Sequence, residues 1–109
     1  MSGNSPKAVL DRQMELISNR DIDGLMSQYH PEAVLLRFDR VARGLEEIRT
    51  LLATYLGQMP TVKSVDAFAE AGDTLSYQAT MQMGEAVVRT YGAWVLKDGK
   101  IWRQVAGLL

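Results

Sequence analysis

Thr74-Leu75-Ser76-Tyr77-Gln78-Ala79-Thr80-Met81-Gln82-Met83 is the stretch on which the fold turns. Leu75, Tyr77, Ala79, Met81 and Met83 fall on one side of an extended chain and Ser76, Gln78, Thr80 and Gln82 on the other. A period of two with a clean apolar side is the pattern of a strand that has one face in a core and one outside it. Working outward, the runs Val62 to Ala69, Ala86 to Leu96 and Lys100 to Leu108 have similar β-compatible content. The junctions Ala71-Gly72-Asp73, Gly84-Glu85 and Lys97-Asp98-Gly99 carry the residues that tight hairpin turns require. The second half of the chain therefore reads as an antiparallel meander of four strands.

Upstream the period changes to that of helices. Ser5-Pro6 is an N-cap followed by proline at the first helical position, where a missing N–H costs nothing. Val9, Leu10, Gln13, Met14, Leu16 and Ile17 then recur at three-to-four spacing up to about Asn19, with Gln13 as the polar exception. Asp21 caps a second, short helix carrying Ile22, Leu25, Met26 and Tyr29 on one side, with His30-Pro31 as its exit. Ala33 to Phe38 reads as a short first strand and Asp39 to Arg43 as a charged loop. Gly44 opens a third helix with Glu46 and Glu47 in its first turn, where the helix dipole favours negative charge. Leu45, Ile48, Leu51, Leu52, Tyr55 and Leu56 form its buried stripe, and Gly57 and Pro60 end it.

Length and composition bound what such a chain can do. With 109 residues there is material for one core but not for two. The formal net charge of -1 and the scattered basic residues leave no stripe to neutralise a nucleic-acid backbone, so nucleic acid is not an expected partner. The absence of cysteine removes disulfides, thiolate metal sites and cysteine nucleophiles together, and is compatible with a cytoplasmic location. No stretch approaches the roughly 20 apolar residues that span a bilayer, so no membrane association is expected.

Four stretches taken together carry a family resemblance. Arg20-Asp21-Ile22-Asp23-Gly24-Leu25 opens the second helix and Tyr29-His30-Pro31-Glu32-Ala33-Val34 leads into the first strand. Gly44-Leu45-Glu46-Glu47-Ile48-Arg49 opens the third helix, and Trp94-Val95-Leu96-Lys97-Asp98-Gly99-Lys100-Ile101 spans the last hairpin. In order and spacing the chain resembles the nuclear transport factor 2-like superfamily, especially its SnoaL-like and ketosteroid-isomerase-like branches, over almost its whole length. The resemblance implies an α+β fold in which three N-terminal helices pack in the concave face of a curved antiparallel sheet, a cone-shaped, cystatin-like roll. It also implies one SnoaL-like domain over residues 1–109, with residues 1–5 flexible, a ligand pocket at the open end of the cone, and pairing as a homodimer through the sheet.

Function has to be argued from the site, because one cone serves isomerases, cyclases, hydrolases and domains without chemistry. The tyrosine, aspartate base and protonated acid of the steroid-isomerase branch align with Gln13, Arg37 and Gly92, none of which keeps the chemistry. A register shifted by two brings Asp39 to the base position, but leaves no acid or tyrosine near Gly92 except Tyr91, which alternation points to the other face. Arg37 and Asp39 are two apart on a segment read as extended, and so share a face. Asp39 can take a proton while Arg37 steadies developing negative charge, or the two form a solvated ion pair of little consequence. His30, the one histidine, has no company for a metal site, and its place at a helix end suits free carbonyls better than catalysis. No metal site and no flavin, nicotinamide or haem signature is present, and no cofactor is expected.

Gln13, Tyr29, Tyr55, Tyr77, Trp94, Trp102 and Gln104 are the candidate pocket residues, the family register turning Trp94 and the even-numbered face of the last strand inward. Gln104 either bonds a ligand or satisfies Gln13 or Arg37 across the cone. The partner implied is a small apolar or polycyclic molecule, handled without cofactor by an isomerase, cyclase or hydrolase, or simply bound. The alternative is a non-catalytic homodimeric module whose cone is filled by its own side chains.

Overall fold

The structure, a computed structural model, describes residues 5–109. Of the expected flexible segment 1–5, residues 1–4 lie outside the described residues, and Ser5 is the N-cap of the first helix, its hydroxyl accepting from the Ala8 N–H at 3.1 Å. The elements follow in the order α1 (Pro6–Ser18), α2 (Ile22–Ser27), β1 (Tyr29–Arg37), β2 (Arg40–Arg43), α3 (Gly44–Leu56), β3 (Pro60–Ala71), β4 (Thr74–Met83), β5 (Ala86–Lys97) and β6 (Lys100–Leu108). All six strands form one curved, unclosed sheet in the order β2-β1-β6-β5-β4-β3. The α+β architecture expected from the sequence is the one observed.

Several details differ from the sequence reading. Helix α2 ends at Ser27, and Tyr29 and His30 begin β1. The residue before a proline is pushed toward extended backbone, which places His30 in the strand ahead of Pro31. Arg40–Arg43 is a strand and not a loop: Arg37 pairs with Arg40 and Val34 with Arg43, so the chain reverses through Phe38 and Asp39. Asp39 consequently lies in a turn, not two places along an extended segment from Arg37. The sheet also contains one parallel pair, β1 with β6, in which Leu35 faces Gln104; every other neighbouring pair is antiparallel.

The three hairpins of the meander are each closed by two residues, with Ala71 pairing Thr74, Met83 pairing Ala86 and Lys97 pairing Lys100. Asp98 and Gly99 both have positive φ, 55° and 75°, the backbone that an Asp-Gly hairpin turn adopts with least strain. Helix α1 lies against β3 and β4, and α3 against β1 and β2. Their inward stripes meet the inward residues of the strands in one cluster that includes Val9, Leu10, Leu25, Leu35, Ile48, Leu51, Leu75, Met81, Trp94 and Ile101. Leu45, expected in the stripe of α3, is exposed instead. The Glu47 carboxylate reaches back to accept from the Arg43 N–H at 2.9 Å, closing the first turn of α3 where Arg43 has no capping side chain. Among the described residues no helix is long and apolar enough to cross a membrane.

Leu10 is fully buried between α1 and the sheet, whereas the Ser5 cap is solvent-exposed. Leu10→Ala should cost about 2–5 kcal/mol and Ser5→Ala about 1 kcal/mol in unfolding free energy. Urea titrations followed by circular dichroism check both the sizes and their order.

Candidate functional site

A cavity of about 720 Å³ opens between the inner faces of α1 and α3 and the concave side of the sheet. Its apolar wall is made by Met14 and Ile17 of α1, Leu35 of β1, Leu51 and Leu52 of α3, and Met81 and Met83 of β4. Set into that wall are the polar groups of Gln13, Tyr55, Tyr77 and Gln104. At the mouth, the β1–β2 turn contributes Arg37, Phe38 and Asp39, with Phe38 94% exposed. Arg37 Nε stands 3.4 Å from Asp39 Oδ1, and both side chains reach solvent.

The polar floor is continuous. Gln28 Nε2 donates to the Val9 carbonyl and to Gln13 Oε1, both at 3.0 Å. Gln13 Nε2 donates to the Tyr29 hydroxyl at 3.1 Å, and that hydroxyl donates to Gln104 Oε1 at 2.6 Å. Gln13, Gln28, Tyr29 and Gln104 are all buried, so the chain of bonds satisfies groups that would otherwise be costly inside a core. Helix α1, the C-cap of α2 and strands β1 and β6 supply one member each.

Tyr77 owes its position to a missing side chain. It pairs across the sheet with Gly92, and a Cβ there would lie 2.6–2.7 Å from Tyr77 Cε1, Cζ and Oη. The phenol thus lies across the glycine. The expectation that no tyrosine other than Tyr91 lies near Gly92 is corrected by this contact. Tyr91 itself packs over Gly107, with which it pairs, and both reach the edge of the cavity.

All three inner tyrosines hold their protons firmly. Burial raises Tyr77, and the neighbouring phenols of Tyr29 and Tyr55 raise it further. Burial pushes Tyr55 up to about 12, against a smaller lowering by the Arg37 guanidinium. Burial raises Tyr29 well above its ordinary value despite the opposing effect of its hydrogen bonds with Gln13 and Gln104. These phenols are neutral hydrogen-bond donors at ordinary pH, suited to polarising an oxygen and unsuited to removing a proton.

The sequence profile of the SnoaL-like domain matches residues 10–104. The chain belongs to this family. It is thereby a member of the SnoaL-like branch of the nuclear transport factor 2-like superfamily. No curated protein sequence matches it. Among solved structures, this SnoaL-like domain is similar to a proposed polyketide cyclase from Sinorhizobium meliloti, at TM-score 0.78 and 19% identity over 92% of this chain and 94% of that one. TerC co-crystallized with polyporic acid gives 0.80 and 19% over 94% and 90%. An epoxide hydrolase of the LEH-like type from M. tuberculosis gives 0.74 and 17% over 94% and 80%. At these identities the likeness speaks for the fold alone.

Within the SnoaL-like cone, Gln13, Arg37, Asp39, Tyr55, Tyr77 and Gln104 come together around the cavity. Tyr29 lies beneath it, bonded to two of them. Trp94 points inward but stands behind Tyr77, with ring centroids 5.6 Å apart, and is not part of the lining. Trp102 does not face inward. Val95 pairs with Arg103 but Leu96 pairs with Ile101, so β6 carries one extra residue and the alternation reverses. Ile101 takes the buried place, and Trp102 packs instead against the Arg103 guanidinium, 3.8 Å from the ring centre, and Lys97. His30 is also away from the cavity: its Nδ1 accepts from the Glu32 N–H at 3.0 Å and its Nε2 is 3.7 Å from Asp98. The free carbonyl at the end of α2 is satisfied by Lys100, whose Nζ donates to Ser27 O at 2.7 Å, and not by His30. Gln28 was not singled out in the sequence; its one signal is an amide beside Tyr29 at the boundary of a short helix.

Because the folded state keeps protons on Tyr29, Tyr55 and Tyr77 that the unfolded chain releases near its ordinary value of 10, stability is full below about pH 10 and falls as pH rises toward 12. Each tyrosine should steepen the fall by about 1.4 kcal/mol per pH unit. Denaturant titrations across that range, with phenolate absorbance recorded in parallel, should show stability declining while these three phenols stay protonated in the folded protein and ionise only as it unfolds.

Proposed function

We propose that this SnoaL-like protein binds a compact apolar or polycyclic small molecule in the cavity between α1, α3 and the sheet, without a cofactor. The observation that carries the reading is the cavity itself: about 720 Å³ of mostly apolar wall with a few polar groups facing it. That combination falls within the roughly 300–1,000 Å³ and the sparse polarity of small-molecule sites. The family membership and the likeness to a proposed polyketide cyclase and to an LEH-like epoxide hydrolase support the same class of role. The absence of cysteine suits a cytoplasmic setting.

The chemistry favoured by the residues is cofactor-independent isomerisation, cyclisation or hydrolysis. Neutral Tyr55 and Tyr77 are placed to stabilise charge developing on a ligand oxygen. Asp39 at the mouth is, among the described residues, the one lining carboxylate and would serve as the base, with Arg37 beside it. Ketosteroid isomerisation is not the proposed reaction, because Arg37, a permanent cation, occupies the aligned base position. Ala106 pairs with Gly92 and lines the cavity. A neutral naphthalene-based fluorophore should bind the wild-type protein with one-to-one stoichiometry. Ala106→Trp, which fills the cavity, should abolish that binding while cooperative unfolding is retained; undiminished binding in the variant would place the dye elsewhere.

The outer face of the sheet favours a second property. Ser76, Gln78, Thr80, Val95 and Val105 present neutral side chains there, with Val105 41% exposed and with the opposite charges of Asp66 on Thr80 and Arg89 on Gln78 beside them. Interfaces tend to lose charge at their centre, and we propose that two copies pair through this face as a homodimer. Sedimentation velocity at micromolar concentration should give a dimer, and Val105→Asp should shift it to monomer; a wild-type monomer would contradict the assignment.

A further inference from the structure

The bonds beneath the cavity have a direction, and one backbone group sets it. The Val9 carbonyl can only accept, so the group of Gln28 that meets it must be Nε2. The second hydrogen of Nε2 points at Gln13, which must present Oε1, and this turns Gln13 Nε2 toward Tyr29. The Tyr29 oxygen receives that hydrogen and gives its own proton onward, so Gln104 must meet it with Oε1. Reversing Gln28 or Gln13 would set donor against donor or acceptor against acceptor, and reversing Gln104 would leave the Tyr29 proton without its acceptor. The end of the sequence is the amide nitrogen of Gln104, turned away from Tyr29 on a residue that lines the cavity.

That nitrogen has no protein partner among the described residues. It is not sealed in the core either: the sealed side-chain atoms without a partner are Arg20 Nε and Trp94 Nε1. Gln104 Nε2 is therefore a donor held toward the cavity space by a bond chain that ends on the backbone. It cannot turn to offer an acceptor without breaking the 2.6 Å bond from Tyr29.

We infer that Gln104 is the residue that sets ligand specificity in this cavity, donating from Nε2 to an acceptor oxygen, such as a ketone carbonyl, on an otherwise apolar ring system. The inference rests on the reading of the cavity as a ligand site. A hydrocarbon of the same shape displaces water from Nε2 and leaves its N–H groups unpaired, whereas a ketone replaces the lost bond. Discrimination of about ten- to hundredfold follows from the cost of an unmade buried bond.

Fluorenone and fluorene form a matched pair that differs only in a carbonyl against a methylene. The wild-type protein should bind fluorenone about ten- to hundredfold tighter by isothermal titration, with the carbonyl stretch of the bound ketone lowered relative to its value in alkane. Gln104→Leu should bring the two affinities together and remove the infrared shift. Since that variant also strands the Tyr29 hydroxyl, Gln104→Glu provides a second arm: its carboxyl keeps an acceptor for Tyr29. The ketone preference should disappear at high pH, where the carboxylate cannot donate, and return as pH is lowered and the acid is protonated. Equal affinities for the two compounds in the wild-type protein, or a preference that persists in both variants, would overturn the inference and leave the cavity reading standing. Failure of both compounds to bind would overturn both.

Discussion

A phenol hydroxyl in the middle of an apolar core must find partners or cost the fold what burial of an unpaired polar group costs, about 1–3 kcal/mol. Tyr29 is buried at the start of β1, and its hydroxyl is the point at which helix and sheet are tied together. One bond comes from Gln13 on α1 and the other goes to Gln104 on β6, elements far apart in the chain. Apolar packing alone would let α1 slide or rotate over the sheet with little loss, since one leucine surface resembles another. Two directional bonds on a single oxygen leave far less freedom, and they fix which side of α1 looks into the cavity. Met14 and Ile17 form its wall beside Gln13, whose amide is held by Tyr29.

The architecture was legible because it rests on periodicity. The alternation of Thr74–Met83 and the two-residue turns around Gly72, Gly84 and Gly99 specify the meander, and the Ser5-Pro6 and Asp21 caps specify two helix starts, all from local physics. The short hairpin β1–β2 was not legible, because its four-residue second strand is written in arginines and small residues with no alternation to detect. Trp102 was misplaced for a related reason: one extra residue in β6 reverses the parity on which inward and outward depend, and nothing in the neighbouring residue types marks it. Of the site, Gln13 could be found as a polar exception on an apolar face. Gln28 could not, because its importance comes from a contact with Val9 and Gln13 that exists only once α2 folds back on α1.

The cavity shows how one cone can keep a polar centre while changing the residues that form it. Where the aligned steroid-isomerase positions supply a tyrosine on the first helix and an acid on a later strand, this chain has Gln13 and Gly92. The amide no longer faces the ligand alone but bonds a tyrosine from β1, and the glycine admits a phenol from the neighbouring strand. A phenol thus stands beside each of the two positions, rooted on a neighbouring strand. Comparison of positions one at a time misses this, since the hydroxyl now at Gly92 belongs to Tyr77.

The last strand of the sequence lies in the middle of the sheet. β6 pairs on one side with β5, its immediate predecessor, and on the other with β1, from which most of the chain separates it. Until β6 is in place, β1 and β2 form a hairpin with no strand beside it, and the β3–β5 meander has an open edge on β5. The Tyr29 hydroxyl also lacks its acceptor until then. Joining the two halves is a long-range closure, the slow kind of step in folding. The cavity wall and the donor within it therefore come into being together and late, in the same event that removes the exposed edges through which unfinished copies could associate.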